Sequence, residues 1–410
     1  MVPESWCRVP IKMACESIID CVNKTAPVVG YETPYKMIRT TNVRNGRVNT
    51  IDVRYVTEET YLQWIRRGAP EKGDIIFTRE APVGEVGILE DATGIFLGQR
   101  TMMYRAEKSK ADNYYLFYSL SSQFCQKQIE DFSNGGTVAH MRVPDCGEII
   151  INLPPLPEQK KIAQILSTWD KAITTTEQLL TNSQQQKKAL MQQLLTGKKR
   201  LLDKNGVRFS GQWKPVALST IFNRVTTKNN GQSTNVVTIS GQHGLIRQED
   251  FFKKTVASET LDGYFLLKNG QFAYNKSYSN GYPMGAIKRL NRYKDGVVTT
   301  LYICFEIDDS TKADSDYWEH YFESGLLNRG LTQIAHEGGR AHGLLNVKAA
   351  DFFSMKAPKP AVEEQQKIAA VLSAADKEIT TLQQKLDALK QEKKALMQQL
   401  LTGKRRVKTT

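Results

Sequence analysis

The residues with the clearest potential for catalysis are an aspartate and a Glu-Gln-Lys triplet near position 150. Asp145, preceded by proline, and residues 158–160 satisfy the loose PD…(D/E)xK pattern of metal-dependent nucleases. In such sites two carboxylates bind Mg²⁺ and the lysine orients the attacking water. The matching triplet at 364–366 is Glu-Gln-Gln, and each triplet stands at the start of a helix-like apolar pattern. A glutamate at the start of a helix interacts favourably with the helix dipole. The pattern therefore favours a helix start over a nuclease centre.

Other residue arrangements do not suggest catalysis or metal binding. The five histidines, at 140, 243, 320, 336 and 342, form no HxxxH pattern, and the six cysteines include no CxxC pair. The sequence also lacks a phosphate-binding GxxxxGK[ST] loop and the Asp/Asn-Pro-Pro-aromatic loop of amino-methyltransferases. We therefore predict no catalytic residues, no metal site and no cofactor in this chain.

Charge and hydropathy limit the class of protein. The net charge of +13 suggests a polyanionic partner, yet residues 1–152 contain 18 Lys and Arg against 19 Asp and Glu. DNA could therefore bind this part only through a local basic patch. No apolar run approaches the ~20 residues needed to cross a membrane, and the start of the sequence lacks the pattern of a secretion signal. We expect a cytoplasmic protein.

The elements that position these residues come from an internal repeat. The string KKALMQQLLTGK occupies 187–198 and again 393–404, and at the same offset residues 158–174 match 364–380. Each copy runs without Gly or Pro to LLTGK, with apolar residues in alternating steps of four and three, which predicts a long helix with a heptad seam. The predicted seam positions are Ile162, Leu166, Trp169, Ile173, Leu180, Leu190, Leu194, Ile368, Leu372, Ile379, Leu382, Leu386, Leu389, Leu396 and Leu400.

Each predicted helix has a defined end and a lysine on its seam, and Thr176 and Ser183 make the seam of the first helix more polar. Gly197 and Gly403 suit the left-handed residue just past a helix end, and a helix over 158–195 would be about 57 Å long. Lys187 and Lys393 occupy equivalent seam positions. These lysines can extend along the seam to reach water. They can also fix the register of the paired helices or admit further helices from a partner, and the two roles are compatible.

The rest of the chain forms two globular blocks with weaker similarity. Trp6 matches Trp213, and KGDIIF (72–77) resembles NGQFAY (269–274). Strand-like runs such as GEVGILE and YICFEI alternate with turn residues, and the helix-like pieces are 112–129 and 315–331. These patterns predict two α+β domains.

This order of block, hinge LPPLPEQKKIAQIL, long helix and LLTGK, followed by the whole arrangement again, resembles the DNA-specificity subunit of Type I restriction-modification systems. The resemblance covers essentially all 410 residues, and Pro-Pro-x-x-Glu-Gln-x-x-Ile-Ala is its most specific part. It implies an α+β fold with two pseudo-repeated target recognition domains separated by two long antiparallel coiled-coil helices. The corresponding domains are 1–152, 153–203 (helix and linker), 204–356, and 357–410 (helix and basic tail).

The resemblance also implies a function and partners. Each recognition domain would read one half of a bipartite, asymmetric site in double-stranded DNA, and the helices would set the spacer and bind two modification subunits. The chain itself would be non-catalytic. S-adenosylmethionine would belong to the modification subunits, and ATP and Mg to two motor-nuclease restriction subunits that can join them.

Candidate DNA contacts are polar residues in glycine-rich or aromatic loops. Arg, Asn and Gln can bind guanine and adenine edges in pairs of hydrogen bonds, whereas Lys and Ser can position phosphates. The candidates are Arg39, Asn42, Arg44, Arg79, Gln99, Arg100, Thr137, His140, Arg142, Gln242, His243, Lys276, Tyr278, Ser279, Asn280, Tyr282, Arg340 and His342.

Two alternatives to a DNA-reading subunit follow from the same residues. One is a stand-alone metal-dependent nuclease that uses Asp145 and Glu158. The other is a coiled-coil assembly protein without sequence preference, because the heptad seam by itself requires only a helical partner.

Overall fold

The computed structural model describes residues 2–133, 139–241, 243–252, 260–279, 281–335 and 345–408. The chain divides into two compact units: the first comprises Met1–Glu177 with Gln384–Thr410, and the second Gln178–Gln383. Helices and strands both contribute to each unit. Within the described ranges, no helix combines the length and apolarity needed to span a membrane.

The globular part of the first unit contains eleven described strands, four described α-helices and two short 3-10 helices at Ile11–Ala14 and Thr40–Asn42. The strands are β1 (Cys7–Pro10), β2 (Cys15–Asp20), β3 (Lys36–Ile38), β4 (Val43–Arg44), β5 (Gly46–Val48), β6 (Arg54–Tyr55), β7 (Ile75–Arg79), β8 (Val83–Ile88), β9 (Ile95–Leu97), β10 (Thr101–Ala106) and β11 (Ile150–Leu153). The helices are α1 (Glu58–Trp64), α2 (Asn113–Leu120), α3 (Gln123–Ser133) and α4 (Val143–Cys146).

The strands of the first unit build one large sheet and two small ones. The large sheet has the order β2-β10-β7-β8-β5-β4, with β2, β10, β7 and β8 antiparallel. Alternate residues of a strand point to opposite faces, and here both faces are covered. Phe77 joins the core that contains the helices, whereas Ile76 joins a separate cluster on the other face. The small sheets are β6-β3-β9 and β1-β11.

A long helix, α5 (Leu156–Leu194), follows β11. The described elements of the second globular part come next, with a 3-10 helix at Leu218–Thr220. The strands are β12 (Lys214–Ala217), β13 (Phe222–Val225), β14 (Val237–Ser240), β15 (Gly244–Arg247), β16 (Phe265–Lys268), β17 (Phe272–Asn275), β18 (Ala286–Arg289), β19 (Asp295–Val298), β20 (Ile303–Ile307) and β21 (Lys356–Lys359). The helices are α6 (Gln248–Phe252), α7 (Ser315–Glu323), α8 (Asn328–Ile334), α9 (Ala349–Ser354) and the long α10 (Val362–Leu400).

The second unit repeats the central plan of the first. Its sheet β13-β20-β17-β18 corresponds to β2-β10-β7-β8, and its antiparallel pair β12-β21 corresponds to β1-β11. Two consecutive helices follow β20 as two follow β10. Burial also alternates in the same way, because Phe272 and Tyr274 join one cluster and Ala273 another. The remaining strands pair as β14-β15 and β16-β19.

The two long helices match the sequence prediction closely. Each has 39 residues, beginning two positions before the Glu-Gln pair. Gly197 and Gly403 have φ values of 71° and 72°, so the predicted left-handed residues past the helix ends are confirmed.

Within each unit, the start of one long helix packs against the end of the other. In the first unit Ile162 and Leu166 share a core with Leu400 and Leu401. In the second, Leu194 and Leu195 share one with Ile368 and Leu372. The paired segments therefore run in opposite directions within each unit.

The predicted seam positions differ in exposure. The buried ones are Ile162, Leu166, Ile173, Leu180, Leu194, Ile368, Leu372, Leu386 and Leu400. The partly exposed ones are Trp169, Leu190, Ile379, Leu382, Leu389 and Leu396.

Candidate nucleic-acid interface

The glutamate that suggested a nuclease is a buried structural anion. Glu158 accepts hydrogen bonds from Trp6 Nε1 at 3.0 Å and from Arg406 Nε and Nη2 at 2.7 and 2.9 Å. Burial acts to raise the pKa of Glu158, but the bonds from Arg406 and Trp6 outweigh it and hold the pKa below its ordinary value. The carboxylate is therefore charged and already fully engaged by protein donors.

The second unit contains the same arrangement. Glu364 accepts hydrogen bonds from Trp213 Nε1 at 2.9 Å and from Arg200 Nε and Nη2 at 2.6 and 2.7 Å. The guanidinium carbon of Arg200 also lies 5.3 Å from the centre of the Trp213 ring, a cation–π arrangement. The repeated glutamate thus holds the globular part of each unit to its helices.

The nuclease interpretation is not supported by this geometry. Asp145 accepts two hydrogen bonds from Arg142, at 2.7 and 3.1 Å, whereas Glu158 accepts hydrogen bonds from Arg406 and Trp6. The two carboxylates therefore have separate partners and do not form a metal site together. The described part of the chain holds no group of three or more His, Cys, Asp or Glu side chains arranged to bind a metal.

The glutamine of each triplet has an equally structural role. Gln159 Oε1 accepts from the backbone N–H of Asp112 at 3.0 Å, and its Nε2 donates to Pro154 O at 2.8 Å. Gln365 makes the same pair of bonds with Asp314 and Pro360, at 2.9 and 2.8 Å. Because both aspartates cap α2 and α7 through their side chains, each glutamine fixes the long helix to the start of a neighbouring helix.

The two seam lysines form ion pairs across the paired helices. Lys187 Nζ lies 2.5 Å from Asp376 Oδ1, and Lys393 Nζ lies 2.5 Å from Asp170 Oδ1. The lysine side chains are only 16% and 18% exposed. A polar pair at a mostly buried seam position favours one register, so the geometry supports the register interpretation.

Several candidate contact residues of the first unit meet at one edge. Strands β3 and β9 run parallel, with Ile38 opposite Leu97, so Arg39 and the segment that begins at Gly98 leave the sheet together. Gln99 accepts a hydrogen bond from Thr25. Arg100 and His140 project from this edge, each close to the carboxylate of Glu80.

Other candidates of the first unit are bonded internally. Asn42 is buried, and its amide nitrogen donates to the carbonyls of Asn49 and Asp52. Arg44 donates to two nearby backbone carbonyls, and Arg79 is buried against Asp20 at 3.0 Å. These three residues hold the loops in place. The fourth, Arg142, is exposed and forms an ion pair with Asp145.

The structure joins two candidate segments of the second unit, and Leu345 and Val347 bond to one of them. The Tyr282 hydroxyl donates to the carbonyl of Gly241 at 2.9 Å, which joins the loop at 241–244 to the loop at 276–282. The backbone N–H of Leu345 donates to the carbonyl of Lys276 at 3.0 Å, and Lys276 Nζ reaches Val347 O at 3.4 Å. Desolvation by partial burial lowers the pKa of Lys276.

The remaining candidates divide into exposed and undescribed residues. His243, Tyr278 and Ser279 are exposed on these joined loops, whereas Thr137, Gln242, Asn280, Arg340 and His342 lie outside the described residues. The exposed groups are donors and acceptors suited to base edges and phosphates.

Sequence reasoning missed the residues that organise these sites. Arg200 and Arg406 are 206 positions apart, the same offset as the two glutamates that they bind. The repeat therefore contained a signal for both anchors. Glu80, which contacts Arg100 and His140, is acidic and was not among the predicted contacts.

Comparisons with known proteins find relatives of one family. Residues 32–182 match the Type I restriction modification DNA specificity domain. A putative Type I restriction enzyme MjaX specificity subunit from Methanocaldococcus jannaschii is 25% identical, covering 100% of this chain and 95% of the relative. The MjaVIII specificity subunit of the same organism is 26% identical, covering 84% and 85%. The Escherichia coli EcoKI specificity subunit is 25% identical over 43% of this chain and 38% of its own.

Solved structures resemble the whole chain in fold. The Type I restriction-modification S subunit of M. genitalium aligns with a TM-score of 0.61 and 15% identity, covering 98% of this chain and 96% of that one. A chain from a structure on complex assembly and conformational transition of the Type I system aligns with a TM-score of 0.54 and 16% identity, covering 98% and 99%.

Proposed function

Since this chain belongs to the specificity subunits of Type I restriction-modification systems, we propose that its two units are target recognition domains that each read one half of a bipartite, asymmetric DNA site. In this proposal the long helices form an antiparallel coiled coil that sets the spacer and docks two modification subunits. The chain is non-catalytic and cytoplasmic. The modification subunits bring S-adenosylmethionine, and restriction subunits with ATP and Mg can join.

The observation that carries this proposal is one structural plan used twice with different loops. Both units contain the same four-stranded core and the same Glu-Gln anchors, yet the exposed side chains differ. Arg100 and His140 project in the first unit, and His243 and Tyr278 in the second. Two readers that hold different hydrogen-bonding groups on one frame suit an asymmetric site.

The helices support the spacing and docking parts of the proposal. A 39-residue helix is about 58 Å long, which exceeds the ~34 Å of one turn of B-DNA. Within the twelve-residue repeat, Lys188, Gln192 and Gln193 are exposed in the first copy, and their counterparts Lys394, Gln398 and Gln399 are exposed in the second. Two surfaces that share these exposed residues suit two identical subunits.

A domain exchange tests the proposal. Residues 1–152 would be replaced by the first recognition domain of a related subunit with a known target, and the complex with the modification subunit would be assayed for its methylation motif. We expect one half-site to change while the other half-site and the spacer stay the same. A motif that is unchanged, or changed in both halves, would contradict separate reading by the two units.

A further inference from the structure

A carboxylate lies between two exposed candidates of the first unit, Arg100 and His140. Glu80 Oε1 is 3.3 Å from Arg100 Nε, and Glu80 Oε2 is 3.7 Å from His140 Nδ1. The side chain of Glu80 is 22% exposed, against 55% for Arg100 and 46% for His140. The carboxylate is therefore set back from the two groups that it holds.

The backbone fixes all three residues around this carboxylate. Glu80 and His140 form an isolated antiparallel bridge, and the backbone N–H of Arg79 donates to the carbonyl of Arg100 at 2.8 Å. Arg100 itself has a φ of 69°, a conformation that costs a non-glycine residue free energy. The positions of these side chains are thus imposed by the fold.

The other acidic group at this edge has different partners. Asp20 pairs with the buried Arg79 at 3.0 Å and lies 3.8 Å from Arg67. The carboxylate of Asp20 is therefore paired with Arg79 and Arg67. Glu80 is the carboxylate that contacts Arg100 and His140.

A carboxylate in this position has two opposing effects on DNA binding. It occupies Arg100 and His140 in the place that a phosphate oxygen would take, which orients these two side chains before DNA arrives. It also repels a phosphate that approaches without displacing it. Since exposed ion pairs are weak and screened by salt, a well-fitted phosphate can replace Glu80, whereas a poorly fitted one gains little from doing so.

We propose that Glu80 is a specificity-determining residue: it holds Arg100 and His140 in the free protein and releases them only to a fitting half-site, which lowers affinity for other DNA. This inference rests on the proposed DNA-reading function. Discrimination arises here through a repulsive group, which is a general route to specificity.

The second unit provides an internal contrast. The alignment of 72–77 with 269–274 places Lys276 opposite Arg79 and Ser277 opposite Glu80. Met141 and Leu345 donate equivalent backbone bonds to the carbonyls of Arg79 and Lys276, both at 3.0 Å. The frame is therefore shared, and the carboxylate belongs to the first unit.

The test uses Glu80→Gln in the complex with the modification subunit. Affinity is measured over a salt series for two DNA duplexes. One carries the sequence motif that the complex methylates, and the other carries the same motif with its first half-site scrambled. We expect two- to five-fold tighter binding of the scrambled duplex, roughly the strength of an exposed ion pair, and little change for the intact motif. The slope of log affinity against log salt for scrambled DNA should steepen by about one.

Two further variants separate the mechanism from a general change in charge. Glu71→Gln removes an exposed carboxylate that pairs with Arg105, a residue near the other end of β10, and should leave both affinities unchanged. Adding Arg100→Gln to Glu80→Gln should abolish the gain on scrambled DNA.

Two outcomes would overturn the inference. Weaker binding of the intact motif alone would make Glu80 a base reader, since a glutamate can accept a hydrogen bond from cytosine. Unchanged binding of both duplexes would leave its carboxylate without a role in discrimination. Failure of the proposed function is a separate result, because the wild-type complex would then bind both duplexes equally.

Discussion

The two units place different residues against the same lysine–aspartate pair of the long helices. In the first, the Tyr118 hydroxyl donates to Asp170 at 2.6 Å beside Lys393, and bonds Ser167 at 3.2 Å. In the second, His320 occupies the equivalent place. Its Nε2 is hydrogen-bonded to Ser373 at 3.0 Å, and its Nδ1 lies 3.7 Å from Asp376.

This difference shows which part of the repeat varies. The lysine, serine and aspartate all recur at an offset of 206 residues, whereas the facing residue from the globular part changes from tyrosine to histidine. The helix frame is therefore the same in both units, whereas the globular part packed on it presents a tyrosine in the first unit and a histidine in the second.

The largest expected effect compares the two glutamate anchors. Glu364→Ala leaves Arg200, only 19% exposed, without its partner, and we expect a loss of about 3 kcal/mol in the stability of the second unit. Glu158→Ala should cost the first unit less, about 2 kcal/mol, because Arg406 is nearly half exposed and water replaces part of the interaction. Urea unfolding, monitored by hydrogen exchange in each unit, measures the loss in the free energy of unfolding for both variants.

The exposed neighbour Glu363 supplies a control for this comparison. Glu363→Ala should leave the unfolding midpoint within experimental error, because surface substitutions usually change stability little. Equal losses for Glu158→Ala and Glu364→Ala would contradict the argument from exposure.

A smaller effect compares the two aspartates. Asp170→Ala removes the acceptor of both Lys393 and the buried Tyr118, so we expect the first unit to lose about 2 kcal/mol. Asp376→Ala removes the close partner of Lys187 but leaves the His320–Ser373 bond, and about 1 kcal/mol should be lost from the second unit. The same unfolding assay applies. A larger loss for Asp376→Ala would reverse the proposed order.

The smallest effect is a difference in pH dependence. Burial, followed by the charge of Lys187, lowers the pKa of His320, while Asp376 and Asp316 act to raise it and Arg289 to lower it. Below the unfolded pKa of about 6.5, the unfolded state then binds more protons than the folded state. The stability of the second unit should therefore fall with falling pH, by at most about 1.4 kcal/mol per pH unit for one proton.

Substitutions separate the contribution of His320 to the pH dependence of stability from those of its neighbours. Burial raises the pKa of Glu319, which has the opposite effect on stability at acid pH, so the relevant quantity is the difference between wild type and His320→Tyr. The variant should flatten the pH dependence between 7 and 5 in unfolding experiments, and Tyr118→His should introduce it into the first unit. A slope that persists in His320→Tyr would assign it to another group.

The sequence predicted local structure better than long-range contacts. The helices and strands follow from periodicity, and the long helices begin within two residues of the expected start. Helix-like segment 112–129 forms α2 and α3, and 315–331 forms α7 and much of α8. Local patterns suffice for these elements because neighbouring residues determine them.

The site was less predictable because its partners are distant in sequence. Glu158 binds Trp6 and Arg406, and no local pattern connects residues so far apart. Asn42 was selected as a polar loop residue, yet its amide closes its own loop through Asn49 and Asp52. The heptad pattern located Lys187 and Lys393 on the seam but could not give the facing aspartates, since these depend on the register of the opposite helix.

The most direct test of the central claim is the methylation pattern that depends on this chain. The chain would be co-expressed with its modification subunit, and N6-methyladenine would be mapped by long-read sequencing with and without it. We predict one split motif with two unlike halves and a spacer of fixed length, lost when the chain is omitted. Methylation that does not depend on this chain, in the presence of a soluble complex and an active modification subunit, would contradict the account.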